Sequence, residues 1–368
     1  MSTIRSFIKR EPVLLIAVLA AAISCVFVPP DTQYISYIDF RTLALLYALM
    51  IVVAGLRQAG VFTAMAHTLC ARAKNTRSIG IMLVCLCFFS SMLITNDVAL
   101  LTFVPFSVVV LGMAGRGQDL IRIVVLQTVA ANLGSILTPV GNPQNLYLYS
   151  FYNLSILDFL SATFPVWLAS LLLIFVCCFS LSGTPLSAYL GEAPGMDRKT
   201  LWIYLALFAV CLLTVIRVLS WPVMLLAVVA VLLIADRKIL CKADFTLLLT
   251  FVAFFIFAGN LARIGAVYEL LKALLSGREY LTSLLASQVI SNVPAALLLS
   301  GFTANAKALL LGVNIGGLGT PIASLASLIS MKLYSHSEHA HLGKFMVEFT
   351  AVNLLLLLLL SAFQYLIS

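Results

Sequence analysis

The 368-residue sequence predicts an all-α polytopic membrane protein of about ten or eleven segments. It is expected to hold two inverted repeats, each with a re-entrant hairpin and a broken helix. Three observations predict this. Apolar residues make up 62% of the chain and charged residues only 10%, against about 45–50% and about 25% in soluble domains. The apolar residues gather into long runs. A pattern of polar interruptions occurs twice along the chain.

The composition excludes a soluble single-core enzyme, a disordered chain and a disulfide-stapled module. A transmembrane barrel is excluded too, because its strands alternate apolar and polar and give no run such as Val13–Val28. The net charge of +8 does not indicate nucleic acid, since Lys and Arg sit in short clusters between apolar runs. Cys25, Cys85, Cys87, Cys177, Cys178 and Cys211 lie inside apolar runs without a CxxC pair, and read as packing residues.

A helix needs about 20 apolar residues to cross ~30 Å of hydrocarbon. The clear candidates are Val13–Val28, Leu43–Ala54, Phe164–Phe179, Leu201–Ile216, Pro222–Ile234, Phe245–Phe257 and Phe345–Leu366. The first reads as an uncleaved span behind Arg5, Lys9 and Arg10, because no small-residue cleavage site follows it. Val61–Ala73, with His67, reads as an amphipathic helix on the cytoplasmic face. With a cytoplasmic N-terminus, only six of the 22 Lys and Arg fall outside: Arg41, Arg217, Arg263, Lys272, Arg278 and Lys307. That asymmetry is the kind that sets topology. It requires an extracytoplasmic C-terminus at Ser368, and it requires 79–114 and 280–303 each to return to the side they entered.

Those two stretches carry the repeat. Ile79–Ser90 is ~18 Å of helix at about 1.5 Å per residue, followed by Ser90-Ser91, by Thr95-Asn96-Asp97 and by the apolar run from Val98. Tyr280–Ile290 is shorter still and precedes Ser291-Asn292-Val293-Pro294. Each hairpin is followed by an apolar segment broken by Gly and Pro: Asn132 through Pro143 in Leu120–Tyr149, and Asn314 through Pro321 in Ala306–Leu333. Pro removes a backbone donor and Gly permits non-helical dihedrals. Unpaired backbone at membrane depth is tolerated only where protein or a water-filled cavity satisfies it. Even the preceding segments repeat, with Ala54-Gly55 before Arg57 and Ala258-Gly259 before Arg263. The two arginines read as interfacial residues. Inverted repeats with discontinuous helices mark secondary transporters with a central site.

The predicted organisation is 1–78 as scaffold, 79–163 as first transport half, 164–279 as scaffold, 280–334 as second transport half, and 335–368 as a last span. Helix N-termini at tips and breaks favour negative charge, while the opposite ends and unwound carbonyls favour cations. The polar groups available are Thr95, Asn96, Asn132, Ser135, Thr138 and Asn142, then Ser291, Asn292, Asn314 and Thr320. They suit Na⁺ or an oxyanion and are not a transition-metal set. Asp97 is the single acid at membrane depth, a proton or cation carrier by default, and it also reads as the N-cap of the outgoing arm. The His336, His339 and His341 group reads as an exposed loop.

The Thr95-Asn96 and Ser291-Asn292 tips, with the break Thr138-Pro139-Val140-Gly141-Asn142-Pro143-Gln144-Asn145, resemble the ion transporter superfamily. That group holds divalent anion:sodium symporters, citrate transporters, arsenite permeases and sodium/proton antiporters. The resemblance implies a homodimer, an elevator motion, solute contacts at Thr95, Asn96, Ser291 and Asn292, and cation contacts at Asn96, Gly134, Asn142, Asn292, Gly316 and Thr320. In the dicarboxylate symporters a Thr follows both tip asparagines. Asp97 and Val293 stand there instead, and an Asn-Asp pair is more similar to the arsenite-permease and antiporter branch.

The expectation is a secondary transporter of a small anion or oxyanion coupled to Na⁺ or H⁺, in a prokaryotic inner membrane. Solute candidates are Thr95, Asn96, Ser291, Asn292, Thr138, Asn142 and Thr320. Coupling candidates are Asp97, Asn96, Asn132, Gly134, Asn142, Asn292, Asn314, Gly316 and Thr320. No cofactor is expected beyond Na⁺ as coupling ion. The alternatives are a cation/proton antiporter using Asp97 and an anion channel. An intramembrane enzyme is not expected: facing acid pairs, HExxH helices and Ser–His pairs at membrane depth do not occur in the sequence.

Overall fold

The computed structural model describes residues 11–71, 73–113, 116–185, 195–337 and 340–367. Arg5, Lys9, Arg10, Arg72, His339 and Ser368 lie outside them. Seventeen helices, with a single turn at Tyr34–Tyr37, make up the described chain. In order they are α1 (Pro12–Phe27), α2 (Phe40–Gln58), α3 (Val61–Cys70), α4 (Thr76–Ile94), α5 (Asn96–Met113), α6 (Gly117–Gly134), α7 (Pro143–Phe151) and α8 (Ile156–Cys178). Then come α9 (Arg198–Val215), α10 (Trp221–Ala235), α11 (Phe245–Arg263), α12 (Gly265–Leu275), α13 (Glu279–Ile290), α14 (Asn292–Leu299), α15 (Ala306–Ile315), α16 (Leu325–Ser335) and α17 (Leu342–Ile367).

The order is a repeat of eight elements with one helix between the copies. Two spans, an amphipathic helix, a hairpin, a broken helix and a last span form α1–α8, and the same series forms α10–α17. Two spans, one broken helix and one last span make four crossings, which bring a copy back to its starting side. The odd helix α9 adds a fifth and inverts the second copy. Among the described residues, eight helices are long and apolar enough to cross a membrane, both arms α4 and α5 of the first hairpin included, while α1 and α10 are shorter.

The copies interlock. Helix α1 packs on α11, and α10 packs on α2. The repeated Ala-Gly pairs each seat a tyrosine ring, one from α9 and one from the turn after α1. The Tyr204 ring lies over Gly55, where a Cβ would stand 2.0 Å from it. The Tyr37 ring covers Gly259 at 2.5 Å in the same way. Helix α7 packs on α14 and α16 on α5, so each broken helix ends against the hairpin of the other copy. The core centres on α6, where every residue from 123 to 134 is buried. Large apolar side chains such as Leu172, Leu226 and Leu358 are exposed on the outer helices, as hydrocarbon contact requires.

Two expectations need correction. The first hairpin's incoming arm is not interrupted at Ser90-Ser91. Asn75 starts α4 by accepting the Ser78 amide at 2.8 Å, and the Ser91 hydroxyl donates to the Phe88 carbonyl at 2.9 Å. A hydroxyl satisfied within its own helix does not break it, so α4 and α5 run 19 and 18 residues. Asp97 is not the N-cap either. Helix α5 already includes Asn96, and Asp97 lies in its first turn, since the Thr95 carbonyl accepts the Ala99 amide at 3.1 Å. The second hairpin keeps its short arms of 12 and 8 residues. The amphipathic α3 ends at Cys70, and its His67 is buried.

Candidate functional site

The two tips are built alike. Thr95 has φ 70° and ψ 151°, and Ser291 has φ 73° and ψ 155°. Such backbone costs on the order of 1–3 kcal/mol outside glycine and persists only where the surroundings hold it. It turns one helix into the next without a linker. Asn96 Oδ1 then accepts the Asp97 amide at 3.0 Å, and Asn292 Oδ1 accepts the Val293 amide at 2.9 Å.

The two breaks follow one plan. After α6, Thr138 is extended, Pro139–Gly141 forms a 3-10 turn, Asn142 is extended, and α7 begins. After α15, Thr320, Pro321–Ala323, Ser324 and α16 repeat that order. Each break is tied to its own hairpin by a threonine. Thr138 Oγ1 donates to the Met92 carbonyl, and Thr320 Oγ1 donates to the Gln288 carbonyl at 3.0 Å. Met92 and Gln288 each precede their tip by three residues. Gly134 and Gly316 allow break and hairpin to touch. A Cβ at Gly134 would stand 2.0 Å from the Phe88 carbonyl oxygen, and one at Gly316 would stand 2.9 Å from Leu284 Cα.

The copies then exchange hydrogen bonds. Asn142 Nδ2 donates to Asn314 Oδ1 of the other copy at 3.2 Å. Ser324, at the equivalent position, donates to Asn132 Oδ1 at 3.0 Å. Asn96 Nδ2 reaches the same Asn132 oxygen at 3.0 Å, and Asn314 Nδ2 donates to Asn145 Oδ1 at 2.6 Å. Asn96, Asn132, Asn142, Asn292 and Asn314 are all buried. Buried hydrogen bonds that cross between the copies in this way favour one arrangement of their elements.

The N-termini of α5, α7, α14 and α16 meet at one small cavity. Asn96, Asp97, Pro143, Gln144, Asn292, Val293, Ser324 and Leu325 line it, with Leu247 of α11 at its side. Its volume is about 10 Å³. Each helix start carries a partial positive charge and unused backbone donors. Beside it opens a cavity of about 550 Å³ between α2, the first tip, the first break and the start of α11. Thr95, Asp97, Asn142, Arg57, Lys242 and Asp244 are on its wall. Asp97 Oδ1 is buried without a hydrogen-bond partner. Arg57 is tied rather than merely interfacial: its Nη2 donates to the Leu101 carbonyl at 3.2 Å. Pro105, four residues on, has no amide to give that carbonyl. Arg263 pairs with Asp31 at 2.8 Å.

All twelve residues named from the sequence lie at the tips or breaks. Sequence reasoning missed Asn145, Gln288 and Ser324 as parts of the site, and Arg57, Lys242 and Asp244 as cavity wall. A signal existed for Gln288, a lone amide inside the short apolar arm Tyr280–Ile290.

Two interlocked inverted copies around hairpin tips and helix breaks define an integral membrane transporter. The sequence model of the family described as citrate transporter matches residues 4–310, and the chain belongs to that family. It is 32% identical over 331 residues to an uncharacterized transporter of Methanocaldococcus jannaschii, covering 89% of each chain. It is 31% identical over 304 residues to the inner membrane protein YbiR of Escherichia coli, covering 80% of each. Among solved structures, the YdaH transporter of Alcanivorax borkumensis, described as having an unusual topology, shares the fold. That similarity has a TM-score of 0.56 with 16% identity, over 90% of this chain and 86% of that one.

Proposed function

We propose that the protein is a secondary transporter of a small anion or oxyanion coupled to Na⁺ or H⁺, working across an inner membrane with its N-terminus in the cytoplasm. The observation that carries the reading is the meeting of four helix N-termini at one cavity. Four partial positive charges aimed at one point favour an anion over a cation. The description of the family as citrate transporter agrees with an anionic solute.

The solute enters the larger cavity and meets Thr95, Asn96, Thr138 and Asn142 from the first half, and Ser291, Asn292 and Thr320 from the second. The space of about 10 Å³ between the tips is about one water's worth, so solute binding requires the tips to part. In this reading the hairpins and breaks move as a transport body against the other spans, in a homodimer. Asp97 beside the cavity supplies the coupling charge: an anion draws in the positive partner that neutralises a buried carboxylate.

A second reading is a cation/proton antiporter, favoured by one observation: the buried Asp97 Oδ1 has no partner and is free to take a cation or a proton. A thermal-unfolding screen of anions and oxyanions, with and without Na⁺ at two pH values, separates the two. A ligand that binds the folded state raises the unfolding temperature. Stabilisation by an anion supports the first reading. Stabilisation by cations alone supports the second.

A further inference from the structure

Helix ends leave carbonyls without amide partners, and in transporters with broken helices those carbonyls are where a coupling cation is held. After α15, the amides of Gly316, Gly317 and Leu318 take the carbonyls of Gly312, Asn314 and Ile315. The carbonyls of Gly316 and Leu318 converge on one side chain. Gln288 Nε2 donates to both, at 2.7 and 2.9 Å, and the Leu284 carbonyl stands 3.4 Å away. Gln288 Oε1 accepts the Thr320 amide at 3.0 Å and so pins the side chain. Gly319, at φ +97°, leaves room for it, since a Cβ there would stand 2.3 Å from that oxygen. After α6 the same task falls to another residue. Asn145 Nδ2 faces the carbonyls of Ser135, Ile136 and Thr138 at 3.2, 3.3 and 3.3 Å.

We infer that Gln288 and Asn145 replace bound sodium at the two breaks: each presents a donor NH₂ to the converging carbonyls a monovalent cation would otherwise join, so that solute binding needs no Na⁺. The inference rests on the transporter reading and chooses within it, since it assigns Gln288 as the residue that sets the ion requirement of the second half. The two amides are not equivalent by position. Gln288 comes from the hairpin arm before the tip, and Asn145 from the helix after the break. A purely inherited capping residue would occupy the same place in both copies. Two different residues filling one electrostatic role point to the role itself.

The test is a titration of the purified full chain in which NaCl replaces choline chloride at constant ionic strength, read as the thermal unfolding temperature. The wild type is expected to be insensitive to the exchange. Gln288→Ala frees the Gly316 and Leu318 carbonyls and opens space beside them, so it is expected to unfold earlier in choline and to regain stability with Na⁺. Gln288→Ser, which keeps a hydroxyl there, serves if the alanine chain does not fold. A sodium-specific rise in the wild type overturns the inference, with or without the variants. A folded variant as indifferent to Na⁺ as the wild type overturns the assignment of Gln288. The titration contains no candidate anion, so neither outcome decides whether an anion is carried, which stands or falls on the anion screen.

Discussion

The two hairpins share a tip and differ in almost everything else. Thr95 and Ser291 agree within 3° in φ and 4° in ψ, and each asparagine caps the residue after it. Yet the first hairpin has arms of 19 and 18 residues and the second of 12 and 8. Asp97 follows the first asparagine and Val293 the second. The tip geometry is what an inverted pair needs to bring opposed helix starts together. Arm length only has to reach the break, and the residue after the asparagine is left for chemistry. One carboxyl in one half makes the two halves of the site chemically unequal.

The largest effect that breaks this comparison is expected from Asp97→Asn. It keeps the shape of the first tip and makes the halves alike in charge, so coupled uptake into reconstituted vesicles should be lost while helix content is unchanged. Wild-type dependence on Na⁺ and H⁺ in that variant removes Asp97 from the mechanism. Next are the glycines at the breaks. Gly134→Ala should lower stability by about 1–3 kcal/mol through forced overlap with the Phe88 carbonyl, and Gly316→Ala by less. Gly265→Ala, with open space around it, is the control in a thermal-unfolding series. An equal, small shift for all three would mean that break and hairpin do not need their contact.

A cysteine at Ser291 tests whether the tips part. Ser291 is buried, so an aqueous thiol reagent should label it slowly, and added solute should change the rate. Constant labelling with every anion counts against a moving site. The smallest effect concerns the two arginines. Arg263 holds the Asp31 carboxyl below the usual carboxylate range, whereas Arg57 bonds a backbone carbonyl that does not titrate. A lowered carboxyl pKa stabilises the fold above the ordinary value and stops doing so as pH falls through the lowered one. Unfolding temperature should therefore drop slightly more for the wild type than for Asp31→Asn on acidification below the ordinary carboxylate range. Parallel curves would make the pair inert.

Much of the site was legible because polar groups at membrane depth are conspicuous in a chain with so few of them. Thr95-Asn96, Ser291-Asn292 and both Gly/Pro breaks stood out by composition alone. The length of the first hairpin did not, since Ser91 reads as an interruption and is in fact satisfied by a carbonyl of its own helix. The start of the outgoing arm was placed two residues late for a related reason: Asn96 and Asp97 are both good helix starters, and only the strained dihedral shows that the flanking residue is Thr95.

The amino-acid order alone determined the membrane fold, the duplication and the identity of the two tips, because hydropathy and Gly/Pro punctuation act locally and survive in one dimension. Which copy's asparagine meets which, that Asn142 crosses to Asn314 and Ser324 to Asn132, and that Gln288 and Asn145 close the open carbonyls were decided only by the packed structure. These contacts join residues 28 to 192 positions apart in all but the Asn145 case. Nothing in a linear pattern records which of several equivalent amides will be nearest once two halves interlock.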